Sequence, residues 1–168
     1  MLSVFSLEEV VAPLATGTCK LRGKDVAIRV LSSRESSFIR DELLGRPVPP
    51  TNEHGEQNLA DPEFVKTWKE FTAQARILDL AAAVGSVTRN GWSFRLPAGA
   101  NRHTDRKTWA ELVDEGCKWR KETLEEWGER LSDADLMALQ DAYDKLSRTD
   151  GVKAAMGNSS TPPATAGD

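Results

Sequence analysis

Two histidines, His54 and His103, and two cysteines, Cys19 and Cys117, are the side chains of this sequence best suited to hold a metal or act as a nucleophile. A metal site needs such groups at helical or tight-turn spacing, as in H-E-x-x-H, and neither histidine has a second ligand so placed. His54 stands beside Glu53 and Glu56, and His103 beside Asp105, in polar strings that read as solvated loops. The cysteines form no C-x-x-C pair and fall in different elements, so they read as two buried free thiols. A disulfide would require an oxidising compartment, to which nothing else in the sequence points. No G-x-S-x-G nucleophile elbow is present. The string GTCKLRGK ends in Gly-Lys but lacks the Walker spacing and the following Ser or Thr; it reads as a hairpin turn. Carboxylates are plentiful, yet neighbours such as Asp114 with Glu115, or Glu125 with Glu126, point to different sides of a helix. They suit a solvated face rather than an acid–base dyad. The expectation is a protein that is not an enzyme and needs no cofactor or metal.

The 168 residues favour one domain, with a core of modest size because apolar residues make up 39% and charged residues 29%. A net charge of −4 leaves no basic excess to neutralise phosphates, so nucleic acid is not expected as a partner. The first residues, MLSVFSLEEVVAPLA, lack a positive n-region and carry Glu8 and Glu9, unlike a secretory signal. The longest apolar runs, such as 80–84, are far too short to span a bilayer, so no membrane association is expected. The five tryptophans against a single tyrosine read mostly as core residues, with one or two available as interface anchors.

The elements that would position these groups follow from periodicity. Ser6 with Glu9 makes a capping box for a short helix within 1–16, with Val10, Val11 and Leu14 on one side and Pro13 limiting it. Cys19 and Leu21 alternate with Lys20 and Arg22, and Val26, Ile28 and Val30 alternate with Ala27, Arg29 and Leu31. Period two on both sides of a turn at Gly23-Lys24 predicts a β-hairpin. Alone it would be marginal in water, so it must pack on a helix or extend a partner's sheet. Ser32 and Glu35 cap a helix with the stripe Phe38, Ile39, Leu43 and Leu44, stopped by Gly45. The stretch 46–60, rich in Pro, Asn and Gly, reads as a surface linker.

Asp61-Pro62 starts a long helix to about residue 84, with Phe64, Trp68, Phe71, Ala75, Leu78 and Ala82 at three- and four-residue steps. Asn90-Gly91, between Val87 and Trp92, Phe94 and Leu96, predicts a second short hairpin or a strand with a turn. A further helix from about Thr108 carries Trp109, Leu112, Val113, Gly116, Trp119 or Arg120, Leu124, Trp127 and Leu131, and Gly116 and Gly128 lower its propensity enough to allow a kink or break. Ser132 and Asp135 cap a last helix with the stripe Leu136, Leu139, Tyr143 and Leu146, and these two helices read as an antiparallel pair. From Thr149 the composition turns to Gly, Ser, Thr, Pro and Ala, which predicts a flexible tail. The fold class expected is α+β and mostly α-helical. One domain spans 1–148, as a hairpin unit at 17–45, a linker at 46–60 and a helical body at 61–148, followed by the tail at 149–168.

The strand pair and helix start in RGKDVAIRVLSSRESSFI, followed later by WAELVDE and a closing helix pair, resemble the tail assembly chaperones of long-tailed bacteriophages. The resemblance covers mainly 18–44 and, more loosely, 107–147; the long 47–60 loop departs from it. It implies a non-enzymatic, protein-binding assembly factor in the host cytoplasm that coats the tape-measure protein during tail morphogenesis and self-associates. Val26, Ile28, Val30, Phe38 and Ile39 would then form its protein-contact patch. The alternative is a structural subunit of the virion, in the tail, baseplate or neck.

Overall fold

The computed structural model describes residues 14–157, with side chains through 148. The expected N-terminal helix around Ser6 and Glu9, and the end of the chain from 158 on, lie outside the described residues. The architecture is a β-hairpin followed by helices: β1 (Thr16–Leu21), β2 (Lys24–Arg29), α1 (Ser33–Ser37) running directly into a π-helical segment π1 (Phe38–Leu44), α2 (Pro62–Ala83), α3 (Arg106–Arg130) and α4 (Asp133–Gly157). The mostly helical α+β class expected from the sequence is what is found.

The strands pair antiparallel, from Thr16 opposite Arg29 to Leu21 opposite Lys24. The two-residue turn is Arg22-Gly23, one position earlier than the alternation suggested. Both residues have positive φ, 49° and 79°, the type I′ geometry whose twist matches the strands. One face of the hairpin, Gly17, Cys19, Leu21, Val26 and Ile28, turns inward. It lies on α4. The absence of a side chain at Gly17 matters here, because a Cβ would stand 2.9 Å from Leu146 Cδ2. Arg22, at the hairpin tip, donates to Asp135 through Nη2 at 2.6 Å and to the carbonyl of Arg130 at 2.7 Å.

Ser32 and Glu35 form the expected capping box, and Arg29 grips the same Glu35 with two bonds of 3.0 and 2.8 Å. In π1 the hydrogen bonds span five residues, so Phe38 and Leu43 stack over one another and both are buried together with Ile39. Gly45, at φ 73°, ends the segment. Asp61 accepts from the Phe64 N–H at 2.8 Å and Pro62 opens α2 as expected. The 46–60 linker folds back on itself around Asn52, whose Oδ1 accepts from the N–H groups of His54 and Glu56.

The expected hairpin at Asn90-Gly91 is reduced to a single bridge, Val87 to Ser93. Its polar groups turn instead to α3: the Arg89 N–H donates to Glu126 at 2.7 Å and the Asn90 amide to Glu122 at 2.7 Å. The kink or break that the two glycines of α3 would allow does not occur; the helix runs unbroken through Gly116 and Gly128. At Gly116 the reason is packing, since a Cβ would lie 2.6 Å from Leu43 Cδ2. The expected antiparallel pair of α3 and α4 is also replaced. α4 packs on the hairpin and α2, α3 packs on π1 and α2, and α2 bridges the two. The backbone of α4 continues as helix past residue 148, where the tail was expected to begin.

The core is built from Ile39, Leu43, Leu78, Leu80, Trp119 and Leu139, all at or below 1% exposure. Beside it runs an aromatic relay. Phe38 meets Trp109 edge-on at 5.0 Å, Phe38 meets Phe94 at 6.2 Å, and Phe94 meets Trp119 at 5.3 Å.

Two expected outcomes follow from this packing. Gly116→Ala lowers stability by about 1–3 kcal/mol because Leu43 must yield, whereas Gly128→Ala, into open space, gains up to about 1 kcal/mol from helix propensity. Urea unfolding of both variants reads the opposite signs. The second concerns acid. Hydrogen bonds from Arg22 and then from the Ser132 backbone hold Asp135 far below its ordinary 3.8. A depressed carboxylate stabilises the fold above its unfolded pKa and loses that contribution as pH falls through the folded one. The stability of the wild-type chain therefore declines below about pH 4, and Asp135→Asn starts lower at neutral pH but declines less steeply. Unfolding midpoints measured across that range check the slopes.

Candidate protein-binding groove

The five residues expected to form a contact patch do not form a surface. Ile28, Val30, Phe38 and Ile39 are buried in the chain's own core, at 2%, 8%, 3% and 0% exposure. Only Val26 is partly open, in a cavity of about 160 Å³ shared with Leu21, Trp127 and Leu131 beneath the hairpin tip. The apolar alternation was real; its partner is α4, within the same chain.

A second concave surface lies along α2, between that helix, π1 and α4, with a volume of about 430 Å³. Trp68, Phe71, Ala75, Arg76 and Asp79 recur along one face of α2 and form its long wall. From Trp68 to Asp79 the helix rises about 16 Å, roughly three turns. Phe71 is buried at the floor, and Trp68 stays 37% exposed at the rim. The indole lies between two aromatic neighbours, 5.9 Å from Phe64 and 5.4 Å from Phe71. α2 thus changes character along its length. Its second half, from Leu78 to Ala83, is sealed in the core, while 66–70 is exposed throughout.

The other wall comes from π1 and α4. Arg40 donates to Asp79 at 2.7 Å, and Arg76 donates to the neutral Gln140 at 3.1 Å. Gln140 in turn donates to Asp144 at 2.8 Å. Tyr143 accepts from the Leu31 N–H at 3.2 Å, which ties this wall to the end of the hairpin unit. Burial pushes the Tyr143 phenol up from its ordinary value. Burial also raises Asp79, and the attraction and hydrogen bond of Arg40 only partly offset it. Arg40 Nε and Asp79 Oδ1 are both buried without a hydrogen-bond partner among the described residues. With three guanidiniums (Arg40, Arg46, Arg76) against two carboxylates (Asp79, Asp144), the lining carries a net charge of 3 − 2 = +1.

Sequence periodicity pointed to this row of aromatics and assigned it to the core, which holds for Phe71 but not for the exposed Trp68. The run of three aromatic residues in the first half of α2 was the available signal, because a helix buries its apolar stripe only as far as its neighbours reach. His54 and His103 are exposed, Cys19 and Cys117 are free thiols, and no group of His, Cys, Asp and Glu that could hold a metal occurs among the described residues. Among the described residues no helix is long and apolar enough to cross a membrane. No family model matches this chain, and no curated protein or solved structure matches it either.

The Arg40–Asp79 pair sets the expected behaviour of this wall. Arg40→Ala strands a buried carboxylate and lowers stability at neutral pH by about 1–3 kcal/mol, less than for a fully enclosed pair because Arg40 is 43% exposed. Asp79 already has a raised pKa, so protonation relieves it in the folded state. The deficit of the variant accordingly shrinks as pH falls through that raised value. Denaturant midpoints of wild type and variant at neutral and acidic pH measure the convergence.

Proposed function

We propose that this chain is a non-enzymatic assembly factor that binds another protein in the groove along α2, and that its partner is the tape-measure protein of a long-tailed bacteriophage. The observation that carries the protein-binding reading is the row Phe64, Trp68 and Phe71, with its central indole left open to solvent. Tryptophan and arginine are the residues that most often anchor protein interfaces, and here Trp68 stands in one concave surface with Arg40, Arg46 and Arg76. A groove about three turns long suits an amphipathic helix laid into it, its apolar side chains against Trp68 and Phe71. Acidic residues on the flank of that helix would meet the guanidiniums of the walls.

The choice of partner rests on the resemblance to tail assembly chaperones over 18–44 and 107–147. On this reading the chain works in the host cytoplasm, keeps an aggregation-prone helical partner soluble and is absent from the finished particle. Self-association belongs to the same reading.

Co-expression with a tape-measure fragment tests it. The expected result is a soluble complex that copurifies. Trp68→Ala should cost about 2 kcal/mol or more in binding, roughly a thirtyfold loss, with little change in thermal midpoint. A fragment that stays insoluble and unbound, or purified virions that contain this chain in fixed copy number, would overturn the proposal.

A further inference from the structure

A second surface, of opposite character, forms where α1, the loop before α3 and the first turn of α3 meet. Arg34 of α1, Arg102 and His103 of the loop, and Trp109 of α3 line a cavity of about 260 Å³. Arg106 and Lys107, the first two residues of α3, adjoin it in sequence and are exposed, as are Arg34, Arg102 and His103. Arg34 and the stretch 102–107, far from it in sequence, thus bring four permanent cations to this side of a chain whose net charge is −4.

Most of this charge is uncompensated. Among the described residues Arg34, Arg106 and Lys107 have no carboxylate within ion-pairing distance. Arg102 has only a long contact to Glu42 at 3.6 Å. The nearby Asp105 is occupied: it caps α3, accepting from the Thr108 N–H at 3.0 Å and from its hydroxyl at 2.6 Å. Most other arginines of the fold are tied down, for example Arg22, Arg29, Arg40 and Arg89.

The placement also works against the stability of the helix. Helix N-termini favour acids, and α2 and α4 carry Glu63 and Asp133 there. The first turn of α3 has no acid and begins with two cations instead. An anion seated there reverses the sign of that cost, since it meets both the cations and the helix dipole.

We infer that this patch docks a short acidic segment of a protein partner. Guanidiniums from separate elements receive carboxylates, and Trp109, anchored edge-on against Phe38 at 5.0 Å, offers its ring to an adjacent apolar side chain. A nucleic-acid backbone fits less well. Beyond the first turn α3 exposes Glu111, Asp114 and Glu115, which would face any phosphates running along the helix. The inference is independent of the groove on α2, because none of these residues lines that groove.

The test uses the full chain and a fluorescent deca-glutamate peptide, with an oligothymidine of equal length as competitor. The expected result is binding to deca-glutamate that weakens as salt rises, with about a tenfold loss in Arg34→Glu and again in the pair Arg106→Glu, Lys107→Glu. The pair Lys20→Glu, Lys24→Glu, on the hairpin, leaves affinity unchanged. A second readout separates binding from folding: Arg106→Glu with Lys107→Glu raises the thermal midpoint, because acids replace cations at a helix N-terminus, while binding falls. No binding of deca-glutamate by the wild-type chain, equal binding by the reversed variants, or tighter binding of oligothymidine than of deca-glutamate would each overturn the inference.

Discussion

Leu43 sits in the notch that Gly116 leaves on α3, and the rest of the arrangement hangs on that contact. Its side chain fills the space where a Cβ would stand, and its carbonyl accepts from the guanidinium of Arg120. π1 is thereby held from both its apolar and its polar side against one helix. Because hydrogen bonds in π1 span five residues, Phe38 and Leu43 present together to α3 while Arg40 is carried round toward α2. A short irregular segment between the hairpin and the linker therefore decides how α2 and α3 stand to each other.

The hairpin depends on the same assembly from the other end. Two strands alone would not persist in water. Here they gain a helix to lie on, with Gly17 against Leu146 and Arg22 reaching Asp135 and the Arg130 carbonyl at the end of α3. Ser32 and Asp135 each close a cap, and each cap is gripped by an arginine of the hairpin unit or accepts one from it: Arg29 on Glu35, Arg22 on Asp135. Helix starts and hairpin ends are thus the same polar clusters. Such exposed or half-exposed pairs contribute modestly one by one, but they fix orientation where apolar contacts alone would allow sliding.

α2 shows how one helix can serve both core and surface. Its second half is sealed in the core, and along its first half the same stripe carries Phe64, Trp68 and Phe71, with Trp68 left exposed at the groove rim. The groove is the geometric consequence, a continuation of the core stripe to where π1 and α4 flank it without closing over it. Its walls are polar because π1 and α4 turn their Arg40, Gln140 and Asp144 faces toward it.

Local chemistry made much of the fold legible in the sequence. Ser32 with Glu35, Asp61 with Pro62, and Ser132 with Asp135 announce helix starts because caps are satisfied by neighbours in sequence. The period-two runs around Gly23 announce the hairpin for the same reason, and only the turn position slipped by one residue, to Arg22-Gly23. Periodicity states that a face is apolar without stating what covers it. So Ile28, Val30, Phe38 and Ile39 could be read as a contact patch, and Trp68 as core, when tertiary packing buries the first four and leaves the indole at the surface. The same limit explains Gly116, a helix breaker by propensity and a packing notch in three dimensions, and the pairing of α4 with the hairpin rather than with α3. The basic patch is the extreme case: Arg34 and Arg102 are distant in the chain, and only the docking of α1 beside the start of α3 brings their charges together. Sequence determined what each segment can form, since caps, turns and alternation act over a few residues; the tertiary structure decided which faces meet, since that depends on volumes and charges far apart along the chain.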